Sequence, residues 1–222
     1  MNKKIIGLTL AAAFTASTAN AALIDDFNGT ATLIVAADGS VTDSYGAAIG
    51  GFRTVDIIKS GPLGASAGVI VPPGIYSHSA DALTSATSNI TWDADGSGLG
   101  GVDLVEGLIN NVFAFDILSI DQGSIDLILS ISDILGGSDA FTFSNAGQGI
   151  QEVSFASFSG IDFTQVNSIS LQVVGGIASD LTLDSLGTSG DIVPTANNVP
   201  EPTSLALLGM GLVAFGFGRR KA

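Results

Sequence analysis

Ser124-Ile125-Asp126-Leu127-Ile128-Leu129-Ser130-Ile131 is the stretch that decides the fold class. Ile125, Leu127, Leu129 and Ile131 fall on one side of an extended chain, with Ser124, Asp126, Ile128 and Ser130 on the other. A period of two is that of a half-buried strand, because successive side chains leave a pleated backbone on opposite faces. The same alternation recurs through Ser168–Val174 on Ile169, Leu171 and Val173. It recurs again on Phe113, Phe115 and Ile117, and on Leu181 and Leu183 between Asp180, Thr182 and Asp184. Thr32–Ala37, Thr54–Lys59, Val69–Val71 and Ser88–Trp92 are further strand candidates.

No stretch of the body holds a helical period beyond a turn or two. Short strands separated by Gly, Ser, Asp and Asn predict an all-β fold: a single antiparallel β-sandwich. The glycine-rich runs Gly96–Gly101 and Gly136–Gly137 suit the connections of a jelly roll. Residues 22–187 form this predicted body, and 188–199, with Pro194, Asn197 and Asn198, read as a polar linker.

The two ends follow different rules. Lys3 and Lys4 precede an apolar run from Ile5 to Phe14, and Ala19-Asn20-Ala21 places small residues at the −3 and −1 positions. Residues 1–21 thus read as a signal peptide cut by signal peptidase after Ala21, with Ala19 and Ala21 as recognition residues. At the other end, residues 200–222 open with Pro200-Glu201-Pro202, an element held extended by its prolines. An uncharged, mostly apolar span follows from 203 to 218, and Arg219, Arg220 and Lys221 close it. Basic residues after an apolar run stay in the cytoplasm, which puts the body outside. The 16-residue span is shorter than the roughly 20 residues of a comfortable spanning helix. Gly209, Gly211, Gly216 and Gly218 weaken it as a helix, which suits a transient hold in the inner membrane.

That three-part tail resembles the PEP-CTERM sorting signal. The resemblance implies an exosortase as processing enzyme, a Gram-negative producer of exopolysaccharide, and a final place at the cell surface or in the extracellular matrix. Within the body, Leu23-Ile24-Asp25-Asp26-Phe27, Gly50-Gly51-Phe52-Arg53, Ile90-Thr91-Trp92-Asp93 and Ser179–Leu186 resemble galactose-binding-type jelly rolls. That likeness implies adjacent first and last strands.

Charge narrows the partners. Between residues 22 and 199 only Arg53 and Lys59 are basic, against 20 carboxylates, a net charge of −18. Such a body repels phosphate backbones, so nucleic acid is excluded as a partner. The absence of cysteine removes thiol chemistry, and a single histidine, His78, leaves too few nitrogen and sulfur ligands for an expected zinc or haem site. Ser77 and Ser79 place His78 in an exposed loop, with no nucleophile elbow beside it. Trp92, Tyr45 and Tyr76 are the aromatics of a type that holds sugars. A carboxylate pair could run glycoside hydrolysis. Among 20 carboxylates, however, some pair falls close by chance, so catalytic residues and cofactors are not expected.

Asp93, Asp95, Ser97 and Asp103, with Gly98 as turn glycine and Glu106 as a further donor, place oxygens at the alternate positions of a calcium loop. Leu104 stands where the bidentate glutamate of an EF-hand belongs, so the choice is between a non-EF calcium loop and a plain acidic turn. The chain is expected to be a non-enzymatic surface or matrix protein associated with exopolysaccharide. A carbohydrate-binding module and a polysaccharide hydrolase are the alternatives.

Overall fold

The computed structural model describes residues 22–106, 110–121 and 124–190. The expected signal peptide with Ala19 and Ala21, most of the expected linker, and the tail with Pro200, Glu201, Pro202, Arg219, Arg220 and Lys221 lie outside the described residues. The body is all-β. Its first strands are β1 (Ala22–Asp25), β2 (Leu33–Ala36), β3 (Gly39–Ser44), β4 (Phe52–Ser60), β5 (Ala65–Ile70), β6 (Ile75–Ala80) and β7 (Ser85–Trp92). The chain continues through β8 (Val112–Asp121), β9 (Ile125–Asp133), β10 (Ser138–Phe143), β11 (Gly149–Ser154), β12 (Val166–Gly175) and β13 (Asp180–Ser189).

These strands form two sheets, and every pairing within them is antiparallel. One has seven strands in the order β11-β8-β13-β6-β5-β2, with β1 also paired to β13. The other has six, in the order β10-β9-β12-β7-β4-β3. First and last strands are adjacent, as the jelly-roll likeness implied: Ala22 lies opposite Thr188 and Leu23 opposite Gly187.

The alternation read in the sequence is the burial pattern. Ile125, Leu127, Leu129 and Ile131 of β9 are buried, as are Ile169, Leu171 and Val173 of β12, which face them across the ladder. Phe113, Phe115 and Ile117 of β8 and Leu181 and Leu183 of β13 supply the opposing layer. Each such side chain contributes about 1.5–3 kcal/mol by leaving water, so these two inner layers drive the closure of the sandwich. One end of the core is aromatic: Phe155 stacks on Phe163 at 4.2 Å, and Phe113 packs against both.

Four strands escaped the sequence reading; one of them, β6, lies inside its sheet between β13 and β5, and its inward positions Tyr76, His78 and Ala80 carry no plain apolar alternation. β3 and β10 are the two edges of the six-stranded sheet, and β11 is an edge of the other. Edge strands bury little, so their sequences GSVTDS, SDAFTF and GIQEVS carry no full apolar face; a neighbouring strand makes them extended. The last strand runs to Ser189, two residues beyond the expected end of the body at 187.

Two expectations are corrected. His78 is not in an exposed loop: it sits on β6, fully buried, opposite Ala67 and Leu181. Trp92 and Tyr76 do not present rings to a sugar, because both are core side chains at 0% exposure, with Phe27 packed beside them. Alternation turned both rings inward.

Candidate functional site

Four places concentrate polar groups. The first is a charge cluster near the N-terminal strand. Arg53 of β4 points into the sandwich and is fully buried. Its Nη1 donates to Asp25 Oδ1 at 2.9 Å, and its Nη2 donates to Asp43 Oδ2 at 3.0 Å and to the Asn28 carbonyl at 2.7 Å. The guanidinium carbon lies 4.8 Å from the centre of the Tyr45 ring. Asp25 also accepts from Trp92 Nε1 at 2.9 Å and from the Phe27 amide at 2.8 Å. Burial pushes the Asp25 carboxyl above its ordinary value, while Arg53 pulls it back. Both Asp25 oxygens are engaged, so the cluster is a clamp between β1 and the six-stranded sheet. The sequence signal for it was present but unread: one of only two body cations, placed at an inward position of a strand.

The second place surrounds His78. Tyr76 Oη donates to Ser88 Oγ at 2.6 Å, and His78 Nδ1 lies 2.7 Å from the same oxygen. His78 Nε2 has no partner among the described residues. Gly175 makes room here, since a Cβ at that position would stand 2.5 Å from His78 Nε2. Burial drives the imidazole pKa down to about 4, against a weaker upward pull from Asp180. The group is a neutral, buried polar contact between facing sheets.

The third place is the loop from Asp93 to Asp103. Ala94, Asp95, Gly96 and Gly98 all have left-handed backbones. Asp93 Oδ1 accepts from the Gly96 amide at 3.0 Å, and the Asp93 carbonyl accepts from Gly98 at 2.7 Å. Asp103 Oδ1 accepts from the amides of Val105 and Glu106 at 2.8 and 3.2 Å. The carboxylates thus cap two separate turns. Asp93, Asp95 and Asp103 do not converge on a point: among the described residues no three or more acidic or histidine side chains gather as a metal cage would need.

The fourth place is the outward face of the six-stranded sheet. Cross-strand register lines Ala140, Ser130, Ser170, Thr91, Thr54 and Thr42 into one row across all six strands. Thr142, Ile128, Gln172, Asn89, Asp56 and Ser40 form the next. A groove of about 330 Å³ indents this face, lined by Ser130, Ser132, Ser138, Asp139, Ser168 and Ser170 among others. Ser132 Oγ and Ser168 Oγ share a hydrogen bond at 2.7 Å along it. Serine and threonine on alternate positions were legible as the solvent side of each strand. Their alignment into rows depends on register.

Among the described residues no helix is long and apolar enough to cross a membrane. No curated protein matches the chain. Among solved structures, it is similar to the family 11 carbohydrate-binding module of a cellulosomal cellulase of Clostridium thermocellum, at 13% identity, TM-score 0.37, covering 78% of this chain and 96% of that one. It is also similar to TmCBM61, solved with β-1,4-galactotriose, at 10% identity, TM-score 0.35, covering 69% and 90%. An exo-beta-agarase matches at 11% identity and TM-score 0.42, covering 78% of this chain and 25% of that one. Residues 198–221 match the model of the PEP-CTERM protein-sorting motif, the segment that holds Pro200-Glu201-Pro202, the apolar span and the basic end. Such a motif implies processing by an exosortase and routing to the cell surface. The chain therefore joins a two-sheet antiparallel sandwich to a C-terminal PEP-CTERM sorting motif.

Proposed function

We propose that this protein is an exported, exosortase-processed component of the cell surface or extracellular matrix of a Gram-negative bacterium, with a non-enzymatic body that associates with the producer's exopolysaccharide. The observation that carries the reading is the sorting motif at 198–221. Its short apolar span and terminal arginines hold the chain briefly in the inner membrane, since each charge is costly to move through hydrocarbon. The Pro-Glu-Pro element then stands beside that span as the processing substrate. The leader is removed after Ala21, which frees Ala22 to begin the first strand. A body without catalysis fits the polar groups described above: Arg53, His78 and Asp25 are enclosed in the core, where no polymer reaches them.

Deletion of Thr203–Ala222 is expected to release soluble body into the periplasm. Replacement of Pro200, Glu201 and Pro202 by alanine is expected to leave full-length protein in the inner membrane. Mass spectrometry of surface material from an exosortase-competent host should find no peptide from 205–219, and intact tail on mature surface protein would refute the processing step. A carbohydrate-binding module is the second reading, favoured by the uncovered polar sheet face. A hydrolase would instead release reducing ends from matrix polymer when the purified protein is added.

A further inference from the structure

We propose that the outward face of the six-stranded sheet is a binding face for a linear, uncharged polysaccharide, laid between the groove at β9, β10 and β12 and a second depression at β4 and β7. This rests on the surface-protein reading and adds where the polymer sits and what chemistry it has.

No described helix or strand covers this face. The second depression has a volume of about 120 Å³ and is lined by Ile58, Lys59, Ser60, Ser85, Ala86 and Thr87. Strands are spaced about 4.8 Å apart, so β9 and β4, three intervals apart in the order β9-β12-β7-β4, are separated by roughly 14 Å. A ligand that uses both depressions is therefore an oligomer. Between them lie Ser170, Gln172, Asn89 and Thr91, of which Asn89 Nδ2 donates to Thr91 Oγ1 at 2.8 Å. Hydroxyls and amides both donate and accept, which suits a ligand whose own groups are hydroxyls.

Charge selects within that class. A body carrying −18 opposes a polyanion at every approach. A cationic ligand would need free carboxylates in the groove. Asp139, the charged residue of that lining, already accepts from the Ser159 amide at 2.6 Å, from Ser159 Oγ at 3.0 Å and from the Ala140 amide at 2.8 Å. An apolar ligand finds a floor of serines. At the second depression Ile58, 66% exposed, supplies the apolar edge that the C–H face of a sugar ring packs on. The aromatic of this face, Phe52 at an outward position of β4, lines neither depression, so each contact there is weak, and retention depends on many copies meeting many repeats of one polymer.

The test is affinity electrophoresis of the full chain in mild detergent. Gels carry dextran, a neutral galactan, a neutral mannan, neutral polysaccharide extracted from the producer's matrix, or an anionic polyuronate. At least one neutral polymer should retard the protein, and the polyuronate should not. Ser130→Met with Ser170→Met fills the groove and removes two hydroxyls. Ser130→Ala with Ser170→Ala removes the hydroxyls with less risk to folding. Retardation should fall at least fivefold in the first and at least twofold in the second. Ser77→Met, at an outward position of the opposite sheet, should behave as wild type. Equal retardation of groove variants and wild type, retardation by the polyuronate, or none by any neutral polymer would overturn the proposal. None of these outcomes alters the fate of the tail, so the sorting reading stands or falls on its own experiment.

Discussion

Arg53 is where one substitution should cost most. Arg53→Met removes three charge-assisted hydrogen bonds, to Asp25 at 2.9 Å, to the Asn28 carbonyl at 2.7 Å and to Asp43 at 3.0 Å. It leaves Asp25 fully buried with only the Trp92 indole and the Phe27 amide to satisfy it. Removing one partner of a buried pair costs about 3–5 kcal/mol, mostly the penalty of the stranded charge. Against a total stability of about 5–15 kcal/mol this is a large fraction, and it corresponds to a fall of roughly 10 °C in Tm for a body of this size. The double variant Arg53→Met with Asp25→Asn strands no charge and keeps an acceptor for one of the two remaining donors, Trp92 or Phe27, which bond to different oxygens of Asp25. It should therefore regain at least half of the loss. Urea unfolding followed by Trp92 fluorescence reads both, because the indole is part of the cluster. A single variant within about 1 kcal/mol of wild type, or a double variant no more stable than the single, would refute the assignment of the cost to a buried, unpaired carboxylate.

Acid should weaken the fold in two stages. His78 is held neutral with a pKa of about 4, against about 6.5 in an unfolded chain, so its contribution is complete above pH 6.5 and is lost as pH falls toward 4. The span corresponds to about 3 kcal/mol, and His78→Gln should flatten the fall of stability between pH 7 and 4.5; parallel curves would remove His78 as its cause. Asp133, Asp139 and Asp162 are held below their usual value chiefly by hydrogen bonds, from the Asp162 amide, the Ser159 amide and the Thr164 hydroxyl respectively. Their stabilisation is present above the ordinary carboxylate range and is lost only as pH falls below it, a separate window. Calcium at millimolar concentration should shift the Tm of the protein by less than about 1 °C, since Asp93 and Asp103 are committed to turn amides. A rise of several degrees that Asp95→Ala abolishes would establish the loop as an ion site.

The sandwich was legible in the sequence wherever a strand is buried on one face. Ile125, Leu127, Leu129 and Ile131 alternate because water selects the inner face of a pleated strand, and that selection is local. The sorting motif at 198–221 was equally legible, since such a tail is read by its enzyme and by the membrane as linear chemistry. Edge strands β3, β10 and β11 were not, because a neighbour's hydrogen bonds, not their own side chains, hold them extended, and neither was the interior strand β6, whose inward face carries Tyr76 and His78. The inward turn of His78, Trp92 and Arg53 was hidden for a related reason. Polar or amphipathic side chains look like surface until Ser88, Asp25 and Asp43 arrive from distant segments to satisfy them. Likewise each serine and threonine of the six-stranded sheet was readable as outward, but the rows through Ser130, Ser170, Thr91 and Thr54 exist only in the register of paired strands. Sequence determined the sorting motif and the apolar and polar faces of the strands that alternate plainly. Tertiary structure decided which of those residues stand side by side, because register is set by long-range pairing that no single segment contains.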